Sequence, residues 1–242
     1  MSTMTTAKTV GELAAENPAA ARVFEKLGID YCCHGGRKLE EACRAAGLPV
    51  EMAEDALEMA VETARAASPV RNWNAEPLAD LIAHIRNTHH QYTRTEAARL
   101  GLLFEKVCAA HAAHHPELNR MRETFGALTH ELGLHLMKEE MVLFPYIVRM
   151  EEAAIEKSPF PPAPFGSVRN PVAMMMSEHD GAGAALSDLR AASNGYTIPP
   201  EACASYRALY QALAAFEADL HQHIHLENNV LFPRAIVMEQ RR

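Results

Sequence analysis

One block occurs twice in this chain. HLMKEEMVLFP begins at His135 and HIHLENNVLFP begins at His223, 88 residues further on, and both read His-x-x-x-Glu-x-x-Val-Leu-Phe-Pro. Identity at fixed spacing over so long an offset marks duplicated structural units, so the two halves must share one local fold. The flanking residues carry helical periodicity in both copies, which makes each copy the second arm of a helical hairpin. Two such hairpins joined by a longer connection predict an all-α, up-and-down four-helix bundle.

The remaining punctuation agrees. Apolar residues at helical spacing run from Leu78 through Ile85 to Val107, predicting a long helix over about 76 to 113, and a second follows from Pro116 to about Glu156 with a kink at Pro145. The proline-rich KSPFPPAPFGSVRN separates the halves. Asn170 as N-cap and Pro171 at the first helical position open a third helix to about Ser193, and a fourth follows Pro200. Upstream, residues 10 to 27 predict a helix stopped by Gly28, then the turn IDYCCHGG, a short helix near 38 to 46 and another over about 49 to 67. The chain thus divides into a small helical module over 1–67, a linker over 68–77 (SPVRNWNAEP) and the bundle over 78–242.

Composition excludes several function classes. A formal net charge of -8 without a basic block opposes nucleic-acid binding, which needs cations to displace counterions from phosphate. MSTMTTAKTV lacks a signal peptide's apolar core, and the longest apolar runs are too short to span a bilayer, so a cytoplasmic protein away from the membrane is expected. Five cysteines in no regular framework suit a reducing compartment.

The repeat also carries the chemistry. Residues i and i+4 follow one another on one helix face, about 6 Å apart along the axis. His135 with Glu139, and His223 with Glu227, can therefore chelate together, and a carboxylate with two oxygens can bridge two metals. One upstream histidine completes each half, His90 in the first and His179 in the second. His90 and His135 stand at heights differing by only about 6 Å, whereas His179 and His223 differ by about 12 Å, which the GYTIPP loop or a later helix start must absorb. His111 falls about 32 Å along the axis from His90, too far to share a metal pair. His84, His89, His130, His221 and His225 read as surface groups or partners of ligands, and Met174 to Met176 as core filling. Cys43, Cys108 and Cys203 are isolated and read as inert. Cys32 and Cys33, followed by His34 and two glycines, read either as incidental thiols or as a pair that the imidazole and backbone amides bias toward thiolate.

DYCCHGG from Asp30, MKEEMVLFP from Met137, SEHD from Ser177 and LENNVLFPRA from Leu226 together resemble the repair-of-iron-centres family, di-iron proteins with a hemerythrin-like domain behind a cysteine-bearing module. The resemblance covers essentially the whole chain. It implies two iron ions, oxo- or hydroxo-bridged, on His90, His135, Glu139, His179, His223 and Glu227, with Cys32 and Cys33 as redox thiols. It implies restoration of iron-sulfur clusters damaged by nitric oxide or oxidants, with nitric oxide binding and reduction at the bundle site, donation of iron, or both. Nitric oxide or dioxygen as small ligand, damaged iron-sulfur proteins, an electron donor and a second copy in a homodimer are the partners expected. The fifth histidine of oxygen-carrying hemerythrins has no match, which argues against simple oxygen transport. The rival readings are a sensor that binds oxygen or nitric oxide without turnover, and a structural zinc bundle, which the mixed His/Glu set disfavours.

Overall fold

The computed structural model describes residues 8–65 and 71–241; the expected end, at 66–67, of the small module's last helix, the linker's first residues 68–70 and the residues before Lys8 lie outside them. Every regular element among the described residues is a helix, the one β-type feature being an isolated bridge from Thr9 to Lys38. No helix among them is long and apolar enough to cross a membrane. Contacts gather the chain into two units, one of residues 1–82, 150–160 and 222–242, the other of 83–149 and 161–221.

The first unit starts with α1 (Val10–Glu16) and α2 (Pro18–Leu27), where one helix was expected. Proline at 18 cannot donate a backbone hydrogen bond and pushes the residue before it out of helical geometry; Asn17 is accordingly extended. Asn17 then caps α2 by accepting from the Ala19 N–H at 3.0 Å. Thr9 and Glu12 form a capping box on α1, and Gly28 closes α2 in the left-handed region at φ 65°. α3 (Leu39–Ala45) and α4 (Val50–Arg65) complete a core around Val10, Phe24, Tyr31, Leu39 and Ala53.

A close backbone approach fixes the cysteine-bearing turn. The Gly11 N–H donates to the Gly35 carbonyl at 2.8 Å. A side chain at Gly35 would meet the side-chain oxygen of Asn229, which can turn away, and the backbone carbonyl of Tyr31 at 2.7 Å, which cannot. Gly35→Ala is expected to cost about 1–3 kcal/mol, read as a lower midpoint in thermal denaturation, whereas Gly36→Ala, which meets nothing, should leave it nearly unchanged.

The second unit is a four-helix bundle. Its arms include α6 (Gln91–His111), which follows α5 (Leu78–Ile85), and α7 (Glu117–Lys138), which precedes α8 (Phe144–Glu156). α9 (Arg169–Ala192) and α10 (Ala204–Leu226) form the other pair, and α11 (Phe232–Gln240) ends the chain. α7 packs on both α6 and α9. Phe125 of α7 stands between Phe104 of α6 and Phe216 of α10, ring centroids 5.4 Å away on either side. The expected cap at Asn170 is displaced: α9 begins at Arg169, and Asn170 reaches back from its first turn to the Phe165 carbonyl. Of the methionine run only Met175 is core; Met174 and Met176 point to solvent, because successive helical residues cannot share one face.

The arms are not plain α-helix. π-turns interrupt them at Arg86–His90, Glu139–Leu143 and Glu227–Leu231. The two later ones each precede Val-Leu-Phe-Pro's proline. A proline in a helix forfeits its own bond and crowds the carbonyl four residues back, and the extra residue of a π-turn relieves that crowding. At Pro145, where a kink was expected, the helix carries this π-turn immediately upstream.

Candidate metal centre

Each π-turn begins or ends on a candidate ligand: the first ends at His90, the others begin at Glu139 and Glu227. Inserted single turns of this kind gather at functional sites, because they re-aim the side chains they carry.

In the second unit the structure brings His90, His135, Glu139 and His179 together, all at most 2% exposed. The Nε2 atoms of His90 and His135 both lie 3.4 Å from Glu139 Oε2. His179 Nε2 lies 3.1 Å from His135 Nε2. His179 therefore meets His135 across α7 and α9, a neighbour not anticipated from hairpin heights, which paired it with His223. In the first unit His223 Nε2 lies 3.1 Å from Glu227 Oε1, both fully buried.

The far nitrogens of two rings are fixed by carboxylates. His90 Nδ1 is 2.8 Å from Glu140, and His135 Nδ1 is 2.8 Å from Glu178. A carboxylate on Nδ1 keeps the proton there and leaves the Nε2 lone pair facing inward, the arrangement typical of metal-bound histidine. Arg94 donates to Glu140 at 2.9 Å, and Lys138 pairs with Glu178. Burial opposes ionisation of Glu140, yet Arg94 and His90 hold its carboxyl below the ordinary range; at Glu178 burial is likewise outweighed by Lys138 and His135. Neither glutamate was singled out from sequence. Their only signal was adjacency, Glu140 following Glu139 and Glu178 preceding His179.

Do these residues fit a metal? Two donors at about 2.0–2.2 Å from one ion stand roughly 3 Å apart at adjacent positions, close to the separations around Glu139. Burying a carboxylate among imidazoles is costly unless a cation or proton compensates it. Nitrogen and carboxylate donors without sulfur suit iron, and the donor set fits.

Other histidines are less peripheral than expected. His89 is buried with Nδ1 3.0 Å from Asp219. His225, 2% exposed, rests its ring 5.3 Å from that of Tyr31, and burial lowers its pKa to about 4, so the imidazole is neutral. His111 faces Cys203, away from the candidate ligands.

The cysteine turn is docked in the first unit by residues that directly follow Glu227. Asn228 donates to the Cys32 carbonyl at 3.3 Å, and Asn229 to the carbonyls of Tyr31 and Cys32 at 3.2 and 3.3 Å. The Cys32 thiol donates to the Cys33 sulfur at 3.8 Å, and the two form no disulfide. The expectation of a thiolate does not hold for Cys32. The backbone N–H groups of Cys32, Cys33 and His34 donate to Asp30, and the His34 imidazole pairs with it too. With those donors engaged, the neighbouring Cys33 sulfur and burial push the Cys32 thiol well above its usual range.

Comparison with known proteins defines the class first. Residues 80–235 match the hemerythrin HHE cation binding domain, and residues 6–61 match ScdA_N, a domain of unknown function. Proteins named iron-sulfur cluster repair protein YtfE are similar over nearly the full length. One from Pectobacterium atrosepticum is 35% identical, covering 95% of this chain and 96% of its own. That of Escherichia coli O17:K52:H18 is 36% identical over 95% and 97%, and that of Cronobacter sakazakii 37% over 96% and 97%. The chain belongs to the repair-of-iron-centres family.

Proposed function

We propose that this chain is a cytoplasmic di-iron protein that restores iron-sulfur clusters damaged by nitric oxide or oxidants, its iron pair held by His90, His135, Glu139, His179, His223 and Glu227. The observation that carries the reading is Glu139: a fully buried carboxylate between two imidazole Nε2 atoms, one ring oriented by Glu140 and the other by Glu178. The exact repetition of His-x-x-x-Glu extends it to His223 and Glu227. The names of the similar proteins support the repair role.

By holding a ferrous pair, these residues would place at the site the two electrons that reduction of two nitric oxide molecules, with two protons, to nitrous oxide and water requires. The chain's own part is to aim lone pairs and exclude water. Lys138 and Arg94 set positive charge behind Glu178 and Glu140, keeping both ionised and both imidazoles in one tautomer. Cys32 and Cys33 sit on a turn held by the residues next to Glu227, a placement that suits passing iron or electrons to a damaged client protein, with an electron donor renewing the reduced state.

The reduced protein, exposed to nitric oxide without oxygen, is expected to yield nitrous oxide and to contain about two irons per chain. Reversible binding without product would favour the sensor, and a single zinc would overturn the reading. Cys32→Ser with Cys33→Ser is expected to abolish repair of a nitric-oxide-damaged cluster protein in vitro while iron content stays at the level of the parent. Loss of iron in that variant would refute a transfer role for the thiols.

A further inference from the structure

At the far end of α6, about 32 Å along the helix from His90, the second unit gathers a second set of metal-binding side chains. α6 ends at His111, but the His115 N–H still donates to the His111 carbonyl at 2.9 Å. The two histidines are thus i and i+4 on one helical turn, the spacing that lets a pair share an ion. The strand of loop before α10 faces them. His111 Nε2 lies 3.1 Å from Cys203 Sγ, and His115 Nε2 lies 3.0 Å from Glu201 Oε1. Both rings rest against Tyr206, centroids 5.3 and 5.4 Å away. His115 Nδ1 is held by Glu117 at 3.0 Å, the same carboxylate backing that His90 and His135 receive.

We propose that His111, His115, Glu201 and Cys203 form a second metal site, separate from the iron centre, that takes one divalent ion of the zinc class. Two imidazoles, one thiolate and one carboxylate are a borderline-soft set of four, suited to tetrahedral zinc and unsuited to magnesium or calcium. Each facing pair already stands near the length of one tetrahedral edge. Rings bound through Nε2 to one such ion stand roughly 5 Å apart. The two here are 6.5 Å apart at their centroids, so closure moves the His115–Glu201 pair, whose carboxylate is exposed, toward His111 and Cys203. The thiol is prepared for it. Cys203 precedes α10, and the N–H of Tyr206, with His111 and the N–H of Ser205, lowers its pKa to about 7. This replaces the expectation that Cys203 is inert.

Cobalt(II), a spectroscopic stand-in for zinc, tests the site on the full-length, iron-loaded protein. One equivalent is expected to give a thiolate-to-cobalt charge-transfer band with tetrahedral visible bands, and zinc should abolish both. The band should persist in Cys32→Ser/Cys33→Ser and vanish in Cys203→Ser, while iron content stays unchanged. His115→Gln should weaken cobalt binding by at least about tenfold. A band that follows Cys32 and Cys33 instead of Cys203, or no band at all, overturns the proposal. Cys203 is exposed, so its replacement should leave the fold intact, as a far-ultraviolet circular dichroism spectrum would verify.

Discussion

Glu139→Ala, produced and purified without oxygen, is expected to bind iron on the order of 100-fold or more weakly than the parent. Glu139 is fully buried and stands 3.4 Å from both the His90 and His135 Nε2 atoms, so its removal withdraws the carboxylate oxygen that would share a metal with either imidazole. Glu140→Ala should be milder, about 10- to 100-fold, because it disturbs only the orientation and basicity of His90. Stability gives a second readout of opposite sign. Without metal, taking a buried carboxylate out of the core relieves its desolvation, so the melting temperature of the metal-free variant should equal or exceed that of the metal-free parent. The rise in melting temperature that iron confers on the parent should disappear, since a ligand stabilises only the state that binds it. If Glu139→Ala retains iron, or if Glu140→Ala loses as much, Glu139 is not a ligand.

The four candidate ligands His135, Glu139, His223 and Glu227 were legible because duplication wrote the His-x-x-x-Glu pair twice, and helical spacing alone places such a pair on one face. The all-helical architecture was legible for the same reason: long periodic segments punctuated by proline and glycine leave little choice. What sequence could not supply falls into two kinds. The first is local geometry with no residue code of its own. Nothing in Arg86–His90 announces a π-turn, and Pro145 is compatible with either a kink or the π-turn that precedes it. Pro18 did carry a signal, since it demands an extended residue before it, and the break at Asn17 follows. The second kind is tertiary pairing. Glu151 accepts from the first N–H groups of α5, Leu78 at 2.7 Å and Ala79 at 2.8 Å, across more than seventy residues of chain. Glu178 reaching His135, and Cys203 facing His111, are the same case, and a height ruler along single hairpins cannot anticipate them.

Phe125→Ala should have the largest effect on stability, a loss of about 3–5 kcal/mol. The ring is 2% exposed, and it touches Phe104 on α6 and Phe216 on α10 from its place on α7, so one side chain ties three of the four arms. Truncation removes its buried area and the geometric gain of two aromatic pairs, and it leaves a void that close-packed helices fill only in part. Phe125→Leu should recover much of the loss by refilling volume without the ring contacts. The consequence reaches the metal centre, because His135 lies on the same helix ten residues on, and a loosened α7 carries it and Glu139 out of register with His90 and His179. Chemical denaturation of metal-free protein measures the packing loss, and iron affinity measured well below the melting temperature reads the positional one. A Phe125→Ala protein as stable as the parent would mean that the three rings do not form the core of the bundle.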